Sequence, residues 1–317
     1  MKKLFVPVTI LALALGTTFT SCNEDDDDMD PQSNIVELAV ATDDLSSLVA
    51  AVQRAGLVDA LSDASANYTV FAPTNAAFAT FLADNNFNSV DDVPVDVLQQ
   101  VLLNHVLGTE VKAADVTTGY FNTLATYGTS TDTYIDMFIN TDGLVINGGS
   151  NIVTTDIDAS NGVVHTVDAV IGIPKIPTFA VANPDFSILV QALTRADLTT
   201  NYATFLEGDG PFTVFAPTNA AFAALLTELN VTQLSDIDAA TLEAVLTYHV
   251  VTVGNVQAGD LTEVQMVPTA QGASFTVTLA GGAKITDGAS RETNIIATDI
   301  QGSNGVVHAI DRVLLPS

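Results

Sequence analysis

The run Thr69-Val70-Phe71-Ala72-Pro73-Thr74-Asn75-Ala76-Ala77-Phe78-Ala79 returns as Thr213-Val214-Phe215-Ala216-Pro217-Thr218-Asn219-Ala220-Ala221-Phe222-Ala223, an offset of 144 residues. Two further blocks repeat in the same order. Asn104-His105-Val106 is matched by Tyr248-His249-Val250 at 144, and Asn161-Gly162-Val163-Val164-His165 by Asn304-Gly305-Val306-Val307-His308 at 143. Ordered blocks at a nearly fixed separation mark a duplicated unit. The period is too long for a solenoid repeat or a propeller blade and has the usual size of an independent domain. The 317-residue chain therefore divides into two copies, residues 33–174 and 177–317, each long enough for its own core.

Each copy starts with helical spacing and ends with strand composition. Leu45, Leu48, Val49 and Val52 recur at intervals of three and four, as do Phe186, Leu189, Val190 and Leu193, which gives one apolar helical face. Asp43 and Asp44 suit the N-terminus of that helix through capping and the dipole. Tyr68 to Ala72 and Phe212 to Ala216 read as short strands stopped by proline. Thr74 and Thr218 follow as helix caps, structural residues whose hydroxyls accept an otherwise unpaired backbone N–H. Phe78, Phe81 and Leu82, matched by Phe222, Leu225 and Leu226, turn the next helix toward the core. A further helix is predicted over Val95 to Val106 and again over Ala239 to Val250. The remainder of each copy is rich in Thr, Val, Ile, Gly and Asn, as strands with tight turns require. The class is α+β, with helices gathered beside a β core.

The N-terminus carries an address. Lys2 and Lys3 precede an apolar stretch from Leu4 to Leu15, too short for a bilayer span of about 20 residues. It runs into Thr20-Ser21-Cys22, which holds the only cysteine of the chain. This ending resembles the lipobox of bacterial lipoproteins, although Phe19 stands where leucine is usual. Residues 1–21 are expected to be a lipoprotein signal peptide and Cys22 the lipidated residue, so no disulfide is available to either copy. Residues 22–32 form an acidic tether with six acids in the eight residues from Asn23 to Asp30, a composition that cannot bury a core. Stretched, it would hold the first copy up to ~40 Å from the lipid. An acidic run after the cysteine resembles a surface-export signal, and the expected location is the outer membrane, facing outward.

The charge fits an exterior protein. Without the leader, seven basic side chains stand against 37 acidic ones, a net charge of −30. Such a surface repels phosphate backbones and anionic lipid, so nucleic acid is excluded as a partner and the membrane is reached only through the anchor. Between the copies, Ile173-Pro174-Lys175-Ile176-Pro177 restricts the backbone with two prolines, and its isoleucines are expected to pack, giving a semi-rigid pair.

The paired Thr-Val-Phe-Ala-Pro-Thr-Asn-Ala-Ala-Phe runs, the histidine near a helix end and the closing Asn-Gly-Val-Val-His together resemble the fasciclin-type domain. The resemblance covers nearly everything from residue 33 onward. It implies two tandem fasciclin-type domains, each a β-sandwich wedge flanked by helices. It also implies secreted or cell-surface proteins that act in adhesion through protein or glycan contacts and not in catalysis.

Of the four histidines, His165 and His308 share a strand face with Val163 and Val167, and with Val306 and Ile310. These, and His105, read as structural, buried rings bonded to backbone or hydroxyls. Asp168 and Asp311 lie three residues on, across the strand, which disfavours a His–Asp dyad. No nucleophile elbow is present, and two distant histidines per copy do not make a metal site. The acidic stretch Asp156 to Gly162 departs from a calcium loop, with glycine at its seventh position and Val167 at the twelfth. It reads as a turn, in which Asn-Gly supplies a positive-φ bend. No catalytic residue, metal or cofactor is expected.

In fasciclin-type adhesion proteins an Asp-Ile pair before the Asn-Gly turn is linked to integrin attachment; the matching residues are Asp156 and Ile157, then Asp299 and Ile300. A Tyr-His motif matches Tyr248 and His249, whereas the first copy has Asn104 before His105. These six residues are the candidate ligand contacts, with core anchoring as the other reading of both isoleucines. The expected function is a cell-surface, lipid-anchored adhesion or binding module for a surface or matrix protein or a polysaccharide. The alternative is a structural or accessory component of a cell-envelope or glycan-handling assembly without its own adhesive role.

Overall fold

The repeated Thr-Val-Phe-Ala-Pro run is apolar without alternation because it is buried on both faces, the condition of a strand that pairs in parallel. The computed structural model describes residues 32–317, so the expected signal peptide, Cys22 and most of the expected acidic tether lie outside the described residues. In the first copy this run is strand β1, Tyr68–Pro73, and only Tyr68 is not fully buried. Val70 and Ala72 pack under the helices with Leu48, Phe78 and Leu102. Phe71 points the other way, against Leu107, Met137, Ile139 and Val167.

The other strands of the first copy are β2 (Val106–Leu107), β3 (Gly119–Thr126), β4 (Tyr134–Asn140), β5 (Val145–Ile146), β6 (Ser150–Ala159) and β7 (Gly162–Val167). They close into a barrel, with β1 parallel to β7 and each other neighbouring pair antiparallel. The second copy repeats them as β8 (Phe212–Pro217), β9 (Val250–Val251), β10 (Gln265–Pro268), β11 (Ser274–Thr278), β12 (Lys284–Thr286), β13 (Glu292–Gly302) and β14 (Gly305–Ile310). There the order is β10-β11-β12-β13-β14-β8-β9, a seven-stranded sheet left open between β9 and β10. The first barrel closes through Leu107 opposite Thr123. In the second copy, among the described residues, the Ala270 N–H to Val250 C=O bond of 2.7 Å marks this gap. The architecture is α+β, and the two sheets of the expected wedge run on into one another.

Two local expectations need correction. The helices predicted to end at Val106 and Val250 stop at Leu103 and Tyr248. The following valines become strands, Val106 opposite Val70 and Val250 opposite Val214, because β-branched side chains fit a buried ladder. Asp43 and Asp44 form a 3-10 turn without a side-chain cap. The next helix, Ser46–Arg54, is capped across the fold by Asn75 of the repeated run, whose Oδ1 accepts the Ser47 N–H at 2.8 Å. Asn219 does the same for Ile188 at 2.9 Å.

The two copies also pack against each other. Residues 33–317 form one contact unit. Alternate residues of β4 divide between two environments: Met137 and Ile139 fill the first barrel, while Phe138 belongs to the core of the second copy with Ile176 and Phe179. Tyr120 on β3 lies 5.0 Å from Phe138 and meets Phe179 edge-on at 5.7 Å, and its hydroxyl accepts a bond from Asn183 Nδ2 at 3.0 Å. Asp136 accepts the backbone N–H of Gln301 across the same contact at 2.7 Å. The linker is held at both ends. Asn104 Nδ2 donates to the Ile171 and Gly172 carbonyls, Ser303 N–H donates to Pro174, and Ile176 is buried.

Candidate binding surface

A histidine just past a helix end can satisfy a carbonyl that the helix leaves unpaired. His105 Nδ1 bonds the Val101 carbonyl at 2.7 Å, and its Nε2 accepts the Ile171 N–H at 2.8 Å. His249 repeats this with Val245 at 2.7 Å and Leu314 N–H at 2.9 Å. An amide can only donate, so Nε2 is the unprotonated nitrogen in both rings and Nδ1 carries the hydrogen. Each ring ties a helix to the last segment of its copy. Burial pushes both imidazoles down to about 4, with the bonded carbonyl opposing, so both are neutral at pH 7.

His165 and His308 hold the opposite tautomer for a different task. The long strands β6 and β13 each carry a bulge before the Asn-Gly turn, where Asp156 and Asp299 adopt φ of +59° and +61°. A bulge costs the ladder a partner for one N–H. His165 Nδ1 accepts the Asp156 N–H at 3.1 Å, and His308 Nδ1 accepts that of Asp299 at 3.3 Å. The far nitrogens donate to the carbonyls of Val111 and Val256 at 3.0 and 2.9 Å. Burial lowers the His308 pKa. Asp156 Oδ1 in turn accepts the Ala113 N–H at 2.9 Å and Asp299 Oδ1 that of Ala258 at 2.6 Å. Histidine and aspartate together fasten one loop against the bulge. Asp168 and Asp311 bond Asn151 and Asn294, away from the rings.

The structure removes three of the six candidate contacts from any ligand. Tyr248 is fully buried, with its hydroxyl donating to the Ser274 carbonyl at 3.0 Å, and His249 beside it is enclosed as described. Ile300 is 3% exposed and sits in the core of the second copy, because the residue after the bulge turns inward. Ile157 is half-buried against the helical core of the first copy. Asp156 stays exposed and Asp299 half-buried, each with one carboxylate oxygen committed to a backbone amide. Thr74 and Thr218 accept the Ala77 and Ala221 N–H groups at 3.2 and 3.3 Å.

Two kinds of working residue escape the sequence reading. Asn161 and Asn304 shape their turns and also act as buried clamps. Asn304 Oδ1 accepts the Ile176 N–H at 3.0 Å, and its Nδ2 donates to the Leu206 and Gly208 carbonyls, both at 2.7 Å. Asn161 makes the same three bonds to Ile35, Leu61 and Asp63. The available signal was a polar residue repeated inside an otherwise apolar block. The second kind is exposed and aliphatic. Val153 on β6 and Ile296 on β13 are 63% and 56% exposed, 143 residues apart, on the strands that carry the Asp156 and Asp299 bulges. Both copies thus leave a large aliphatic side chain in water at matched positions.

A fasciclin domain model matches this chain twice, at residues 43–174 and 184–316. An uncharacterised protein of Synechocystis is 36% identical over 142 residues, which cover 45% of this chain and 98% of the relative. Human periostin is 29% identical over 261 residues, covering 79% of this chain and 28% of periostin. Among solved structures, a FAS1 domain pair from the insect cell adhesion molecule fasciclin I superposes with a TM-score of 0.50 at 17% identity, over 85% of this chain and 97% of that one.

Proposed function

The chain belongs to the fasciclin domain family, and on that premise we propose that it is a lipid-anchored adhesion or binding module of the outer cell surface. It recognises a surface or matrix protein or a polysaccharide and catalyses nothing. The carrying observation is the division of labour among its polar and apolar groups. All four imidazoles spend both ring nitrogens on backbone, while Val153 and Ile296 stand in solvent beside the bulges of both copies. Adhesion is the activity that the family resemblance implies. The anchor rests on Cys22 and the lipobox-like residues before it, and the outward location on the acidic run that follows.

The test compares cells carrying the full chain, the deletion, and the double variant Val153→Asp, Ile296→Asp. Attachment to immobilised matrix proteins and polysaccharides should fall in both mutants. Equal attachment of the deletion strain on every surface would reject the adhesive reading. Cys22→Ala should release the protein from the membrane fraction; retention there would reject the anchor.

A further inference from the structure

The junction between the copies joins two unlike faces, and a duplicated chain carries each kind of face twice. The first copy contributes Tyr120, Asn122, Asp136 and Phe138 from the outer side of the β3–β4 pair. The second contributes Phe179 and Ala182 from the helix Ile176–Ala182, followed by Asn183 and the Gln301 N–H. Phe138, Phe179 and Ala182 are all buried there.

Each face has a counterpart that the fold leaves uncovered. The repeat offset sets β10 on β3, and the registers Phe121–Met137 and Gln265–Val277 set β11 on β4. Val264, Met266, Thr276 and Thr278 therefore occupy the places of Tyr120, Asn122, Asp136 and Phe138. Val264 and Met266 are 65% and 72% exposed. At the other end, the helices Ile35–Ala41 and Ile176–Ala182 have equal length, and each gives its first N–H to the asparagine of its Asn-Gly turn. Leu38 and Ala41 thus match Phe179 and Ala182. Asp158 opposite Val163 matches Gln301 opposite Val306. Leu38 is half-buried and Ala41 exposed, whereas their matches lie beneath the first copy.

We propose that the chain assembles head to tail: the β10–β11 face of one chain seats on the helix Ile35–Ala41 of a second copy, repeating between chains the junction already built within each. Thr278 in the place of Phe138 makes this outer contact less apolar than the inner one. Its dissociation constant is therefore weak, on the order of 0.1 mM. Unlike faces do not satisfy each other in a pair, so every added chain leaves one of each kind free and assembly continues past the dimer.

Sedimentation of the Cys22→Ala chain, which cannot carry lipid on that residue, reads the contact. Salt of about 0.15 M screens repulsion between the acidic bodies beyond ~8 Å. The weight-average mass should rise with concentration and exceed that of a dimer at about 1 mM. Met266→Glu and Ala41→Glu each place a charge on one face at an exposed position, so each should keep the circular-dichroism melt of the unmutated chain and stay monomeric. An equimolar mixture of the two should recover dimers and nothing larger, because one variant keeps the β10–β11 face and the other keeps the helix. A monomer at every concentration overturns the proposal, as do association that survives both substitutions and a mixture that stays monomeric.

Discussion

Replacing Asn304 with alanine tests the buried clamp at the second Asn-Gly turn. The amide is 2% exposed and joins the start of the helix at Ile176 to the segment ending at Gly208. Alanine strands the Ile176 N–H and the Leu206 carbonyl, while the exposed Gly208 can rehydrate. A buried polar group without a partner costs about 1–3 kcal/mol, so two of them set a loss of about 2–6 kcal/mol. That is a large share of the roughly 5–15 kcal/mol that keeps a domain folded. The chain has no tryptophan, so urea unfolding is best followed by far-ultraviolet circular dichroism. Asn304→Asp separates the two ends of the amide. It retains the oxygen for Ile176 but sets a carboxylate against two carbonyls, and should destabilise at least as much as alanine at pH 7 and less at pH 4. A loss below about 1 kcal/mol for alanine, with an unchanged m value, would refute the reasoning.

Acid should destabilise the chain through its helix-end imidazoles. His105 and His249 drop from 6.5 to about 4 on folding, so their stability is complete above pH 6.5 and lost as pH falls toward 4, about 3 kcal/mol each. Asp136, whose pKa burial raises to about 7, has the opposite sign and offsets part of that loss; His105 or His249 resonances already titrating near pH 6.5 would contradict the account. Gly305→Ala should abolish folding or cost at least about 3 kcal/mol, because the residue sits at φ +154° with its missing Cβ directed onto the Phe212 carbonyl. Gly259→Ala, which meets no atom within 4 Å, should be nearly neutral in the same melt. Asp287→Asn should cost about 3 kcal/mol, since Asp287 is buried, receives Arg291 Nε and Nη2 at 2.9 and 2.6 Å and holds the Leu315 N–H at 3.0 Å; an unchanged urea midpoint would show that the pair contributes nothing.

Repetition made the fold legible. Two matched sets of blocks identified the duplication, the helix caps Thr74 and Thr218, the β1 and β8 runs and the α+β class, because local propensity and periodicity depend on neighbours in the chain. What escaped depended on distant partners. Asn75 caps a helix 29 residues upstream, and nothing in its own neighbourhood names that helix. The end of the helix at Leu103 was hidden because Val101, Leu102 and Val106 are equally apolar; pairing of Val106 with Val70 settles it. The candidate site was less legible still. A resemblance selected Tyr248, His249 and Ile300 as contacts, and packing buries all three.

The sequence by itself determined that one domain occurs twice in an acidic chain with a single cysteine. Tertiary structure alone decided which of its polar groups face solvent and whether the copies touch. Ile135-Asp136-Met137-Phe138-Ile139 reads as an ordinary apolar strand with one acid to spare. Only when β4 is seen against the second copy does that acid become a buried carboxyl shared between them, because burial is set by what packs on each face of a strand and not by the strand's own residues.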